Sequence, residues 1–199
     1  MKQFWNERFS AENYMYGEHP NIFYMEQLTH LQSGNLLLPG EGEGRNAVWA
    51  ARHGWKVTAV DYSEAGKEKA MLLAQKHETE LEAYIIEDLN YFVPKISGFD
   101  AVALIFVHMM PDERIKLHTK LIESLRPGGI LILESFSKNQ LKFKSGGPKN
   151  LEMLYDIDSL KIDFEQLTID FIQEEIVLLE EGQHHLGEAS VIRMIARKQ

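Results

Sequence analysis

Three glycines separated by single residues, Gly40-Glu41-Gly42-Glu43-Gly44, are the first residues of this chain whose spacing can do chemistry. Glycine at such a point lets the backbone turn tightly and approach a ligand that a Cβ would hold away. The next apolar run ends in Asp61, and a carboxylate there can accept both hydrogen bonds of a ribose diol. Loop and acid together point to an adenosine-containing cofactor. Near the other end of the chain stands its one adjacent histidine pair, His184-His185. Either imidazole is a candidate to remove a proton or hold an anion, with Arg193 or Arg45 adding positive charge.

Positioning these groups requires strands that end where they begin. The apolar runs Leu36-Leu37-Leu38, Val57-Thr58-Ala59-Val60, Tyr84-Ile85-Ile86, 101–107 and Ile130-Leu131-Ile132-Leu133 read as buried strands. Helical patterns lie between them: 47–53 stopping at Gly54, a second capped by Ser63 and running to His77, and a third opening at Asp112 after Pro111. Arg126-Pro127-Gly128-Gly129 reads as the loop that ends the third. This alternation predicts an α/β fold, a doubly wound Rossmann-like sheet of seven strands with ligands at the carboxyl ends. Two β-rich runs, 167–181 and 189–196, joined by Gly182-Gln183-His184-His185-Leu186-Gly187, predict a closing antiparallel hairpin. The whole chain, 1–199, reads as one domain, with a helical lid over 1–33 and a Lys-rich loop or second lid over 137–150. Phe23, Tyr24 and Trp49 read as packing, and Glu174, Glu175, Glu180 and Glu181 as a solvated strand edge.

Composition excludes several classes. Lys and Arg number 21 against 30 Asp and Glu, a net charge of −9, which repels phosphate backbones and anionic lipid, so neither nucleic acid nor membrane is an expected partner. With no Cys there is no disulfide, thiolate metal site or cysteine nucleophile, and a reducing cytoplasm is the expected compartment. The eight His lack an H-E-x-x-H spacing, so no metal is expected. The first residues turn polar too soon for a signal peptide.

Charge also discriminates among adenosine cofactors. Glu41 and Glu43 would repel a diphosphate and tolerate a cation. S-adenosylmethionine, with a sulfonium and an ammonium, fits that loop better than NAD does. The one Tyr-x-x-x-Lys spacing, Tyr91 to Lys95, contains Pro94, which argues against a helix presenting both side chains as an oxidoreductase would need.

These residues resemble the class I S-adenosylmethionine-dependent methyltransferases, and among them the small tellurite-resistance and thiopurine branch. The resemblance covers nearly the whole chain. It rests on 40–46, Asp61, Asp88, the run 101–107, the 126–129 loop and the closing hairpin. The opening Trp5-Asn6-Glu7-Arg8-Phe9, with Tyr14, Tyr16, Gly17, Pro20 and Asn21, looks like that branch's lid, and Ser145-Gly146-Gly147-Pro148-Lys149 like its later loop. The resemblance implies that Gly40, Gly42 and Gly44 line the methionine end of the cofactor and that Asp61 holds its ribose. It further implies that Asp88 and Leu89 contact adenine and that 106–108 close the site beneath the methyl. Arg45, Asn46 and Tyr62 flank these positions and are counted with the cofactor residues. Where the family has an acid two residues before the first glycine, this chain has Leu38, and Glu41 stands between the first two glycines. A carboxylate shifted to Glu41 is then expected to serve the ammonium.

The expected reaction is in-line transfer of a methyl group to a small-molecule acceptor, driven by alignment and exclusion of water. His184, His185 and Arg193 are the candidate catalytic residues. Phe106 is placed at the cofactor, and Tyr14, Tyr16, His108, Gly146 and Gly147 at the acceptor and its lids. Two rivals remain: a cofactor-binding protein without turnover, and a nicotinamide-dependent oxidoreductase.

Overall fold

The computed structural model describes residues 2–199. Two helices, α1 (Lys2–Phe9) and α2 (Ile22–Thr29), precede the first strand. Then β1 (Asn35–Pro39), α3 (Arg45–Arg52), β2 (Lys56–Asp61), α4 (Glu64–Lys76), β3 (Ala83–Ile86), β4 (Phe99–Ile105), α5 (Pro111–Ser124) and β5 (Leu125–Phe136) alternate as expected. Two short 3-10 turns, Lys138–Lys142 and Leu151–Met153, lead to α6 (Ile157–Asp163), and β6 (Leu167–Glu181) and β7 (His185–Lys198) close the chain. The seven strands form one sheet in the order β3-β2-β1-β4-β5-β7-β6. The first five are parallel, whereas β7 runs antiparallel to β5 and β6 to β7. Among the described residues no helix is long and apolar enough to cross a membrane.

Alternation along β1 shows how the sheet is filled. Leu36 and Leu38 face α2 and α3, packing with Phe23, Tyr24, Leu28 and Ala47, while Leu37 faces the other way, among Leu117, Leu121, Leu160 and Phe164 of α5 and α6. Phe23 and Tyr24 are buried packing residues, as read from sequence. Leu38 is 1% exposed in this core, so no charged group could replace it without loss of packing. On the α5/α6 face, Asp163 accepts from Arg114 Nε at 2.8 Å and pairs with His118 Nδ1 at 2.9 Å, joining the two helices.

Three boundaries differ from expectation for local reasons. Strand β4 stops at Ile105 because Phe106 has φ +55°, a left-handed backbone that ends the ladder. Residues 126–129 lie within β5 as a bulge: Phe99 pairs with Leu125 and Ala101 with Ile130, and Gly128 takes φ +79°. The hairpin turn is short, so His185 lies in β7, paired across the turn with Glu181.

Gly44 shows how tightly α3 and α4 meet. Its φ is +90°, and a Cβ there would lie 2.5 Å from the Ala70 Cβ. Gly44→Ala is therefore expected to cost about 2 kcal/mol or more, read as a lowered urea midpoint with unchanged m-value; an unchanged midpoint would contradict this packing.

Candidate active site

The glycine loop crosses the carboxyl end of β2. Gly40 and Glu41 N–H groups both donate to the Val60 carbonyl, at 2.7 and 3.2 Å, and the Tyr84 hydroxyl donates to the Gly42 carbonyl. Gly40 has φ +70°, and a Cβ on it would meet Val107 Cγ2 at 2.9 Å, so the first glycine is demanded both by conformation and by the wall beside it. Asp61 lies under the loop, accepting from Gly42 N at 3.0 Å and Ser63 N at 2.9 Å. Burial raises its carboxyl from 3.8 to about 6 against these backbone bonds. Burial, with the nearby charges of Asp61 and Asp88, pushes the Tyr62 phenol up to about 12. Leu89 lies 3.9 Å from the Cβ position of Gly40. The structure thus brings the loop, Asp61, Tyr62, Asp88 and Leu89 to one edge.

Glu41 departs from its expected task. Its Oε1 accepts from Asn46 N at 2.9 Å and Ala47 N at 2.8 Å, capping α3. Burial raises it to about 7, and the side chain serves the helix rather than presenting a free carboxylate to an ammonium. Glu43 is likewise engaged, accepting from Met15 N at 2.7 Å and pairing with Lys69 at 2.8 Å. It anchors the segment between α1 and α2.

That N-terminal segment covers the loop. A Cβ on Gly42 would meet the Phe9 ring at 3.0 Å, and Asn6 Oδ1 accepts from Ser63 Oγ at 2.7 Å. Tyr14 donates to the Lys69 carbonyl at 3.0 Å, which makes it an anchor on α4 rather than part of an acceptor wall. Gly182 and the 15–17 backbone are in contact, since a Cβ on Gly182 would lie 2.5 Å from the Met15 carbonyl oxygen. The segment therefore bridges the glycine loop and the hairpin. A surface cleft of about 500 Å³ beside Gly34, Asp100 and Arg126 lies at the opposite, amino end of the strands.

Beyond the loop the same edge is aromatic. The ring of His185 sits 4.4 Å from Tyr16, 4.6 Å from Phe106 and 5.2 Å from Phe136. The second glycine loop packs onto this cluster: a Cβ on Gly146 would meet His185 Cδ2 at 2.8 Å, and one on Gly147 would meet Phe136 at 2.8 Å. Carboxylates only accept, so the 3.1 Å contact of His185 Nδ1 with Glu181 Oε2 puts the proton on Nδ1 and leaves the Nε2 lone pair free. Burial lowers the His185 pKa despite the pull of Glu181, so the ring is neutral at pH 7.

Other expected residues are placed elsewhere. His184 lies outside this cluster, its Nδ1 accepting from Arg8 Nη2 at 3.0 Å on the exposed rim. Arg193 is committed to Glu134 and Glu175 and lies over the Phe23 ring, so it offers no free positive charge to an acceptor; the strand register, not the sequence spacing, decides this. Arg45 is bound to Glu181 at 2.9 Å. His108 is pinned at both nitrogens, donating from Nδ1 to the Met153 carbonyl at 2.9 Å and accepting at Nε2 from Phe136 N at 3.4 Å. Burial holds its pKa near 4, so it forms part of the floor and not a base. The sequence reading named Asn21 only as part of the lid and overlooked Glu134, and it placed Glu181 on a solvated edge where the structure leaves its side chain only 9% exposed.

The Asp61 carboxyl, expected to hold a ribose, carries a pH dependence. Its folded pKa of about 6 exceeds the unfolded 3.8, so its protonated form is the one folding favours. Its stabilising contribution is complete below 3.8 and is lost as pH rises through about 6. A diol needs the ionised form, so affinity for S-adenosylhomocysteine is expected to fall as pH drops from 7 to 5, with proton release on binding near pH 6. Calorimetry in buffers of different ionisation enthalpy checks this, and a flat profile would remove Asp61 from the diol.

Residues 37–129, which carry the glycine loop, Asp61 and Asp88, match the family model of the methyltransferase domain. No curated protein matches the sequence. Several solved structures share the fold at low identity. One, described under conversion of a disulfide bond into a thioacetal group during echinomycin biosynthesis, superposes with a TM-score of 0.81 at 18% identity, covering 100% of this chain and 92% of its own. The N-methyltransferase NodS from Bradyrhizobium japonicum, in complex with S-adenosyl-L-homocysteine, gives 0.71 at 15% identity, covering 99% and 97%. TehB from Haemophilus influenzae gives 0.74 at 14%, covering 100% of this chain and 67% of its own. The chain thus has the Rossmann-like methyltransferase fold, and its segment 37–129 is similar in sequence to methyltransferase domains.

Proposed function

We propose that this chain is an S-adenosylmethionine-dependent methyltransferase acting on a small-molecule acceptor. The observation that carries the reading is one edge of the sheet holding both halves of such a site: the glycine loop with Asp61, and the aromatic wall with His185. The donor set fits the cofactor, because a buried carboxylate, a glycine turn with positive φ and the apolar Leu89 match a ribose, an amino acid end and a base. When bound, S-adenosylmethionine supplies a methyl group on a cationic sulfur, open to in-line displacement.

The chain's own residues do the rest. Asp61 accepts from the ribose hydroxyls, with Gly40, Gly42 and Gly44 turning the loop beneath the amino acid end. Tyr62, Asp88 and Leu89 border the base, and Arg45 and Asn46 open α3 beside the loop. Tyr16, Phe106 and Phe136 exclude water, and Tyr16 and Phe106 offer ring faces to a cation. The Nε2 of His185 takes a proton from an acceptor that arrives as N–H, O–H or S–H. Gly146 keeps the approach to that nitrogen open, since a Cβ there would lie 3.3 Å from Nε2, and Gly147 lets the loop pack on Phe136. The tellurite-resistance and thiopurine branch is the finer reading, supported by the contacts of Asn6 with the start of α4, Phe9 with the glycine loop and Tyr16 with the hairpin.

Titration calorimetry with S-adenosylhomocysteine, with NAD as the control, tests the first step. Binding of the former alone, followed by label transfer from methyl-labelled cofactor to a panel of thiols, oxyanions and heterocycles, is the expected outcome. Binding of NAD alone would sink the reading. Cofactor binding with no transfer across the panel would favour a non-catalytic binder.

A further inference from the structure

Glu181 and His185 face each other across the β6–β7 turn, and the Glu181 carboxylate is shared by three separate elements. Its Oε1 accepts from Asn21 Nδ2 at 3.0 Å, in the segment entering α2. Its Oε2 accepts from Arg45 Nη2 at 2.9 Å, at the start of α3, and from His185 Nδ1 at 3.1 Å. The ties continue on both sides: Arg45 Nη1 donates to the Tyr16 carbonyl at 3.2 Å, and Asn21 N–H donates to Asn46 Oδ1 at 2.9 Å. Arg45 directly follows Gly44. One buried carboxylate therefore connects the cofactor loop's helix to the imidazole on the acceptor wall.

We propose that Glu181 is a positioning residue, which holds His185 with Nδ1 protonated and Nε2 bare and, through Arg45, makes that imidazole respond to occupancy of the glycine loop. The coupling half rests on the function proposed above; the tautomer half does not. The physical basis is that an ionised carboxylate offers only lone pairs. Glu181 remains ionised because, although burial pushes its pKa up, Arg45 and His185 bring it down to about 2. Nδ1 must then carry the hydrogen. The titratable and charged groups facing His185 are Glu181 beside it on the hairpin, Arg45 from α3, Arg8 from α1, the Tyr16 phenol and the neutral His108. Glu181 favours the imidazolium and the two arginines oppose it, so a small displacement of Arg45 changes the balance.

Long-range proton–nitrogen spectra of the full chain test the tautomer. The expected wild-type result is His185 protonated at Nδ1, with its titration midpoint falling by about one pH unit in Glu181→Gln. Glu181→Ala is the second variant if Gln perturbs the fold, and it should move His185 toward the Nε2-protonated form. Adding S-adenosylhomocysteine should shift the His185 midpoint in the wild type but not in Glu181→Gln, whose binding calorimetry confirms occupancy. A wild-type His185 protonated at Nε2 overturns the positioning role. An equal response to the ligand in the variant overturns the coupling. Failure of the wild type to bind the ligand overturns the functional reading and the coupling together, while the tautomer still decides the positioning role.

Discussion

Under the proposed function, Asp61→Ala is expected to lower affinity for S-adenosylhomocysteine by about 100-fold or more, because two hydrogen bonds to a charged group contribute roughly 1.5–3 kcal/mol each. The carboxylate is 6% exposed, and each oxygen already accepts one backbone N–H, from Gly42 and from Ser63. A carboxylate oxygen has a second lone pair, so both oxygens retain capacity for a diol without giving up the loop. The same bonds complicate the alanine variant, since removing the side chain frees two buried N–H groups and loosens the turn at Gly42. Asp61→Asn separates the two effects. It preserves shape and one acceptor, so it should keep most of the thermal stability while losing about 10-fold in affinity, roughly one charge-assisted bond. Calorimetry against thermal unfolding reads both quantities. Affinity retained within a few-fold in both variants would mean that the ribose is held elsewhere.

The parts of this site legible in the sequence are those whose geometry is local. The glycine loop, Asp61 at the end of β2, and the strand and helix order all follow from residues a few positions apart, and the structure has them where the periodicity puts them. What was not legible depends on long-range register. Glu181 belongs to a run of acids along β6 whose members look alike in sequence, yet it pairs across the turn with His185, so it faces inward wherever His185 does. Arg193 looks free in the sequence, but with β7 set against β5 it falls opposite Glu134. Glu41 illustrates a third case. Its position between two glycines suggested a ligand role, but the nearest orphan donors are the first N–H groups of α3, and the carboxylate caps them.

Glu134→Ala has the largest expected effect on stability, because it breaks an ion pair that the fold has removed from water. Glu134 is fully buried on β5, accepting from Arg193 Nε through Oε2 and from Asn21 Nδ2 at 2.7 Å through Oε1. Burial pushes its pKa up against the pull of Arg193 and Asn21, so loss of hydration outweighs the attraction of its partners. Truncation leaves Arg193 with only the partly exposed Glu175 and the Phe23 ring, and the expected cost is about 3–5 kcal/mol. For a chain of 199 residues that corresponds to a fall in Tm of about 10 °C. Paired replacement, Glu134→Leu with Arg193→Met, removes both charges and should recover much of the loss, since the penalty lies in the orphaned partner rather than in the missing attraction. The double-mutant cycle, measured by urea unfolding, distinguishes the cases. A single variant costing under about 1 kcal/mol would show the pair to be solvated. Asn21 adds a consequence beyond stability: it caps α2 and also donates to Glu181, so loss of Glu134 releases one of the two carboxylates that hold the start of α2 against the sheet. Proteolytic cleavage between α1 and α2 should then accelerate more than the global stability change alone predicts, because that segment can open locally without the core unfolding.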